Sequence, residues 1–269
     1  MTASRFALCM VFSSAFAGVL SPACRGQHAG DILVEPVGGV ISTGRVVPGE
    51  SGPVVERGVR VFAAEFGEFP NFTDEPGFDT TGGAGFPNET VLAFDILDAV
   101  RRWDGTGFDE IPAETIRVSK ATTNVTSPLL ANQVRAGFSF GQVGSGFLHE
   151  HLRYFLNVPH GAGVYLLQMR LRTPGSGYAD SPAFWVVFNQ NESEAVHDAA
   201  VAYMERLVEQ QCFGDVNGDS AVNTGDLTVL LSRFGQSVLR YDHGDLTGNT
   251  VVDTADLVLL LNRFGAVCP

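Results

Sequence analysis

The chain has 269 residues, 45% of them hydrophobic, which is enough to fill the core of one large domain or two ordinary ones and excludes a wholly disordered chain. Its 30 acidic and 17 basic side chains give a formal charge of -13, which repels both a nucleic-acid backbone and an anionic bilayer surface. Nucleic acids are therefore excluded as partners.

Residues 1–29 have the pattern of a secretion signal. Arg5 gives a positive start, and an apolar run of fifteen residues, 6–20, follows it. That run is shorter than the roughly 20 residues that span a bilayer, so we predict a secreted, extracellular protein without a membrane span. Two cleavage sites stay open: one after Ala23, which would expose Cys24 to lipid attachment at the cell surface, and one after Ala29.

Residues 30–190 consist of short apolar runs separated by glycine and proline clusters. Three such runs, over residues 58–66, 90–97 and 183–189, have strand length. Since no helical periods separate them, we predict an antiparallel β-sandwich domain of unknown function rather than a parallel α/β sheet.

Residues 147–158 show the clearest two-residue alternation, and residues 165–171 repeat it. One face of the first run is predicted to carry Leu148, Glu150, Leu152, Tyr154, Leu156 and Val158. His149 and His151 lie on the opposite face.

Residues 191–211 lack glycine and proline, and their apolar side chains recur at helical spacing. The recurring positions are Val196, Ala199, Ala200, Tyr203, Leu207 and Val208. We predict one helix here that links the β-sandwich to the C-terminal segment.

The C-terminal segment contains a tandem duplication. Residues 214–235 and 244–265 match at 12 of 22 positions, and each copy runs from an oxygen-rich loop into a leucine-rich stretch that ends in Phe-Gly. Calcium takes six to eight oxygen ligands, which a twelve-residue loop supplies from positions one, three, five, seven, nine and twelve. In the first loop these are Asp215, Asn217, Asp219, the carbonyl of Ala221, Asn223 and Asp226. In the second loop they are Asp245, Thr247, Asn249, the carbonyl of Val251, Asp253 and Asp256.

Each copy has aspartate at position twelve and no helix of its own before the loop. In these features residues 212–269 resemble a type I dockerin, a module of paired calcium loops and helices. The resemblance implies a small α-helical, EF-hand-like domain that binds two Ca²⁺ ions and docks onto a cohesin-like partner. We expect the first site to be the tighter, since Thr247 puts a neutral hydroxyl at position three of the second loop in place of the usual Asp or Asn. The residues that the resemblance assigns to partner binding are Thr224, Thr254, Arg233 and Arg263.

Cys212 and Cys268 bracket this duplication. Because export permits disulfides, we predict that these two cysteines are bridged, with two free buried thiols as the alternative.

Other candidate sites lie within the β region. His149 and His151 can chelate a metal from one strand face, with His160 or Asp180 as third ligand, although a solvated surface is the plainer interpretation. Asp74, Glu75 and Asp79 form an acidic loop that either holds a cation or is simply hydrated. Two tryptophans and Phe184 form either an aromatic platform for a sugar or part of the core.

No catalytic constellation stands out in the sequence. The leading hypothesis is therefore a secreted, non-enzymatic protein whose calcium-stabilised dockerin-like module attaches it to another extracellular component. One alternative is a part in polysaccharide degradation, as a glycoside hydrolase or as a carbohydrate-binding accessory. A second alternative is a metal-binding β-sandwich that uses His149 and His151.

Overall fold

The computed structural model of the chain describes residues 30–49, 52–67, 70–81, 85–209, 214–217, 221–238 and 243–266. Over these ranges the protein is mainly β, as the short apolar runs predicted, with fifteen strands and three helices. The proposed secretion signal and the cysteines Cys212 and Cys268 lie outside the described residues, so their roles stay predictions.

The strands in chain order are β1 (Asp31–Val37), β2 (Val40–Val47), β3 (Val54–Arg57), β4 (Val61–Glu65), β5 (Phe72–Thr73), β6 (Phe78–Asp79), β7 (Val91–Ile96), β8 (Arg101–Arg102), β9 (Ile116–Lys120), β10 (Thr123–Thr126), β11 (Arg135–Gln142), β12 (His149–Glu150), β13 (Arg153–Leu156), β14 (Gly163–Arg172) and β15 (Phe184–Gln190). The helices are α1 (Glu194–Glu209), α2 (Thr224–Ser232) and α3 (Thr254–Leu261). The three strand-length apolar runs of the sequence correspond to β4, β7 and β15, which confirms those predictions.

The first sheet has the strand order β12-β6-β1-β2-β3. Gly38 and Gly39 close the β1–β2 hairpin at φ values of 58° and 84°, which glycine adopts without steric cost. Strand β6 pairs with β1 in parallel, and β12 pairs with β6 in antiparallel orientation. These pairings bring the start of β1, the end of β6 and the start of β12 together.

The second sheet has the order β10-β9-β13-β5, and the third has the order β11-β7-β14-β15-β4 with β8 paired to β14. Among the described strands, pairing is antiparallel except between β1 and β6 and between β15 and β4. This departs from the wholly antiparallel arrangement that the sequence predicted. The physical reason is that neither parallel pair is joined by a hairpin, which would force the antiparallel orientation.

One continuous apolar core joins side chains of all three sheets. Ile32 of the first, Tyr154 of the second and Phe94 of the third are fully buried in it. Burial of each large apolar side chain is worth roughly 1.5–3 kcal/mol, so this core is the main source of stability of the β region.

The alternation predicted for residues 147–158 holds over most of its length. Leu148, Leu152, Tyr154 and Leu156 are all buried. Val158 is 73% exposed, so the prediction for that residue is wrong. The alternation ends there because β13 itself ends at Leu156 and the chain turns away from the core.

Helix α1 lies where the helical spacing predicted it, and it packs against β4, β14 and β15. Ala200, Met204 and Val208 form an apolar cluster with Trp185 and Val187. The third sheet is thereby covered on both faces, which explains why every residue of β15 is buried. The helix is thus part of the packed β region as well as a connection to the C-terminal segment.

The two C-terminal loop–helix units share a third apolar cluster, which consists of Val222, Leu230, Val238, Val252 and Leu260. Reciprocal backbone hydrogen bonds join them. The amide of Gly265 donates to the Val222 carbonyl (2.8 Å), and the amide of Gly235 donates to the Val252 carbonyl (2.7 Å). Each loop is therefore held by the segment that follows the other unit's helix.

Over the described ranges, none of the helices combines the length and the apolarity that crossing a bilayer would require.

Candidate functional site

The first oxygen-rich loop is closed by the carboxylate of Asp226, which is fully buried. Its Oδ1 accepts hydrogen bonds from the amides of Val216 (2.8 Å) and Asn217 (3.1 Å), and its Oδ2 accepts one from the amide of Asn223 (2.8 Å). This carboxylate therefore ties the start of the loop to its end. Asp219, the ligand predicted at position five, lies outside the described residues.

The second loop repeats this arrangement with Asp256, which is also fully buried. Its two oxygens accept hydrogen bonds from the amides of Thr247 and Asp253, both at 2.8 Å. Asp245 is buried as well and accepts from the amides of Asn249 (3.0 Å) and Thr250 (2.9 Å).

The predicted ligand side chains of the second loop also contact one another. Thr247 Oγ1 lies 3.3 Å from Asp245 Oδ1, and Asn249 Nδ2 lies 3.4 Å from Asp253 Oδ2. Positions one, three, five and nine are thus gathered in contacting pairs. Their oxygen donors are the kind that calcium prefers.

Both helices begin with a capping box, which tests the simpler interpretation that these aspartates only cap helices. The N-caps are Asn223 and Asp253, whose side chains accept from the amides of Gly225 (2.6 Å) and Ala255 (2.7 Å). Asp226 and Asp256 occupy the reciprocal N3 positions but also bind amides near the start of each loop. Capping alone does not require that second set of bonds.

Among the described residues, backbone amides are the groups that stabilise the negative charges of the position-twelve aspartates. All the hydrogen bonds that Asp226 and Asp256 receive there come from backbone amides. A buried carboxylate is costly unless it is hydrogen-bonded and its charge compensated.

The residues predicted to bind a partner lie mostly at the surface. Thr224, Thr254 and Arg263 are exposed. Arg233 is half-buried, and its Nη2 lies 3.7 Å from Oδ2 of Asp109 in the β region. The structure thus gives Arg233 an intramolecular partner that the sequence did not predict.

An exposed stripe on each C-terminal helix begins at its first threonine. Thr228 and Leu231 follow Thr224 at positions i+4 and i+7, and Val258 and Leu261 follow Thr254 in the same way, so each set shares one helix face. All six side chains are exposed, and Leu231 and Leu261 are each 51% accessible.

His149 and His151, the speculative metal ligands, have their Nε2 atoms 3.0 Å apart. The third residue of their grouping is Asp31, and a second grouping around His151 contains Asp74 and Glu75. Asp180, which was expected as a third ligand, instead lies 3.4 Å from Arg170 Nη1. His160 belongs to neither grouping within the described ranges.

The sequence missed Asp31 because nothing in a single strand pattern indicates which distant strand will pair beside the histidines. It did single out Asp79, but as part of a separate acidic loop. The structure places Asp79 beside the histidine pair, since Asp79 Oδ2 lies 3.0 Å from Nδ1 of His149.

The neighbourhood of this histidine pair is electrically negative. Burial, together with the charges of Glu75 and Asp31, raises the pKa of Tyr154 above its ordinary value. The Tyr154 hydroxyl donates to the carbonyl of Pro76, between Glu75 and the β6 strand.

The aromatic side chains considered as a sugar platform belong mainly to the interior. Trp185 and Phe184 are fully buried, on opposite faces of β15, and Trp103 is half-buried against α1. Core packing is therefore the correct interpretation for the two residues of β15.

Comparison of the chain with protein-family models, with curated proteins and with solved structures finds no match.

Proposed function

We propose that this chain is a secreted attachment protein, in which a β-sandwich carries a C-terminal type I dockerin-like module that Ca²⁺ stabilises. The module would dock onto a cohesin-like domain or another extracellular component. Three observations support the proposal: the secretion pattern of residues 1–29, the tandem duplication, and the matched geometry of its two loops.

The observation that carries the proposal is the equivalence of Asp226 and Asp256. Both are fully buried, both bind the amide at loop position three, and both bind the amide at position nine. The duplicated sequence thus buries a carboxylate in the same network twice. A cation held in each loop would give both buried carboxylates the same role.

The donor sets fit calcium. Each loop offers carboxylate, amide or hydroxyl oxygens at five positions and a backbone carbonyl at the sixth, which suits a hard cation with six to eight ligands. A bound Ca²⁺ ion would compensate the buried negative charge. At an ion concentration about 100 times the Kd, each site would add about 2.7 kcal/mol to the free energy of unfolding.

The exposed helix stripes supply a surface for a partner. Each combines a threonine hydroxyl with an apolar end, Leu231 in one helix and Leu261 in the other. Such mixed surfaces bury apolar area while their polar groups fix orientation.

Calcium dependence is tested with the purified full chain. We expect Ca²⁺ to raise the unfolding temperature relative to a sample in chelator and to bind with measurable heat in isothermal titration. The double variant Asp226→Ala/Asp256→Ala should lose both effects, whereas the control Asp198→Ala, an exposed aspartate on α1, should keep them. Equal unfolding temperatures of the unaltered chain with Ca²⁺ and with chelator would refute the proposal.

Attachment is tested by surface binding to a panel of purified cohesin domains. We expect binding that chelator abolishes and that the pair Leu231→Ala/Leu261→Ala weakens. The matched control is Phe147→Ala, since Phe147 is an apolar side chain of the β region that is 49% exposed. Binding that survives chelator would contradict its dependence on calcium. Equal loss of binding in the control would contradict a role of the helix stripes.

A further inference from the structure

The pair of histidines in the β region lies where three segments of the first sheet meet. Asp31 begins β1, Asp79 ends β6, and His149 begins β12. His149 and Asp79 are direct partners in the β12–β6 register. His151 follows two residues later, where the chain leaves the first sheet for β13 of the second.

The hydrogen-bond partners of the two imidazoles fix which nitrogens carry protons. Nδ1 of His149 lies 3.0 Å from Oδ2 of Asp79, and Nδ1 of His151 lies 3.0 Å from the carbonyl oxygen of Asp74. A carboxylate and a carbonyl oxygen only accept hydrogen bonds, so both Nδ1 atoms donate. In the neutral rings each Nε2 therefore presents a lone pair.

These two lone pairs face each other. The Nε2 atoms of His149 and His151 are 3.0 Å apart, and two lone pairs at that distance repel unless a cation lies between them. That cation is either a proton shared by the rings or a metal ion bound by both. An Nδ1 held by a carboxylate or a carbonyl is the arrangement that orients metal-binding imidazoles in proteins.

The distance suits a metal ion. Two nitrogens 3.0 Å apart, each about 2.05 Å from a zinc ion, would subtend an angle of about 94° at the ion. An angle near 90° is compatible with a four- or five-coordinate centre.

Asp31 offers a third ligand for a metal ion. One of its carboxylate oxygens and one nitrogen from each histidine all lie within 4.8 Å of one another. Its Oδ1 is oriented by the amide of Gly77, which donates to it at 3.0 Å. A shared proton needs no third ligand, whereas a metal ion does.

Gly77 also keeps the space beside these groups open. A Cβ atom at this position would lie 2.7 Å from Asp31 Oδ1 and 2.8 Å from His151 Nε2. Any larger residue would therefore push the two candidate ligands apart. The histidine side chains are 41% and 30% accessible, so water can reach the cluster and complete a coordination shell.

We propose that His149, His151 and Asp31 bind one divalent transition-metal ion of the zinc class, with Asp79 and the Asp74 carbonyl as orienting groups. Two imidazole nitrogens and one carboxylate are a donor set of zinc, whereas calcium prefers oxygen alone. This site is separate from the C-terminal loops and does not depend on their function. The ion would join β1, β12 and the crossing to the second sheet.

The test uses the purified full chain, stripped of metal and held in excess Ca²⁺ so that the C-terminal loops do not compete. Zn²⁺ is added in isothermal titration, and bound metal is counted by elemental analysis. We expect one tight equivalent in the unaltered chain and an affinity at least tenfold lower in His149→Ala, His151→Ala and Asp31→Asn. The control is His160→Ala, which removes a histidine outside the cluster.

Stability separates loss of a ligand from loss of the fold. We expect the metal-free variants to unfold at nearly the temperature of the metal-free unaltered chain, and Zn²⁺ to raise that temperature only in the unaltered chain and in His160→Ala. Absence of a tight Zn²⁺ equivalent in the unaltered chain would overturn the proposal and leave a shared proton between the rings. Unchanged Zn²⁺ affinity in the folded His149→Ala variant would overturn it as well.

Discussion

Asp79 and His149 face each other across the β6–β12 pair, both as register partners and through a side-chain contact of 3.0 Å between Oδ2 and Nδ1. Asp79 is buried, whereas the histidine is 41% accessible at its side chain. A fixed carboxylate thus holds a more exposed ring in one orientation and one tautomer.

The first prediction concerns this orienting contact. Asp79→Asn should lower the affinity of the full chain for Zn²⁺ by about 10- to 100-fold, because the amide holds the ring less firmly and makes it less basic. A competition titration against a zinc indicator measures the change. Asp180→Asn is the control, since Asp180 pairs with Arg170 away from the cluster. Equal losses in the two variants would show that Asp79 has no orienting role.

The sequence predicted only the local half of this cluster. A strand's two-residue period placed His149 and His151 on one face without any knowledge of the fold. The partner Asp79 is 70 residues away in the chain, and Asp31 reaches the cluster only through the parallel β1–β6 pairing. No periodicity within a strand encodes which distant strand will lie beside it.

The third sheet shows the same limit of prediction from strand periodicity. Alternation predicted that Tyr165, Leu167 and Met169 share one strand face, and the structure places that face in the main core. It did not predict that Val164 and Leu166, on the other face of β14, are also buried, because α1 covers them. The helix itself was predictable from its spacing, but its docking depends on tertiary packing.

The second prediction ranks the two calcium loops. Asp226→Ala should weaken calcium binding by the full chain more than Asp256→Ala does, because Thr247 gives the second loop a hydroxyl at position three, where Asp or Asn is usual. Both aspartates make the bonds to loop positions three and nine, so their loss damages the two loops in a similar way. Isothermal titration of each single variant gives the comparison. Equal losses of affinity would refute the ranking.

The third prediction concerns the core that the two loop–helix units share. Leu230 and Leu260 are fully buried in one cluster, so replacement of either by alanine should lower the free energy of unfolding of the module by about 2–5 kcal/mol. Because reciprocal backbone bonds join the units, either change should melt both helices in one transition, followed by circular dichroism.

The residues that follow Leu230 and Leu260 in the sequence provide matched controls. Leu231 and Leu261 are each 51% exposed, and their replacement by alanine should change the free energy of unfolding by no more than about 0.5 kcal/mol. Two separate helix transitions in Leu230→Ala would show that the units do not form a single core.

The last prediction concerns alkaline pH and Tyr165. Burial, and then the negative charge of Glu114, raises the pKa of this phenol above its ordinary value of 10.0, while its hydroxyl donates to the Gly161 carbonyl at 2.8 Å. The folded protein therefore holds the neutral form at a pH where the unfolded chain loses the proton. The resulting stabilisation is fully present below about pH 10 and is lost as the pH rises towards the folded-state pKa.

Tyr165→Phe should remove part of that dependence. We expect its free energy of unfolding, from urea titrations at about pH 9 and about pH 11, to fall less steeply than that of the unaltered chain. Tyr178→Phe is the control, because Tyr178 is only partly buried beside the core and no hydrogen bond of its hydroxyl is described. A slope for Tyr165→Phe that equals those of the control and of the unaltered chain would mean that this phenol does not contribute to the alkaline transition.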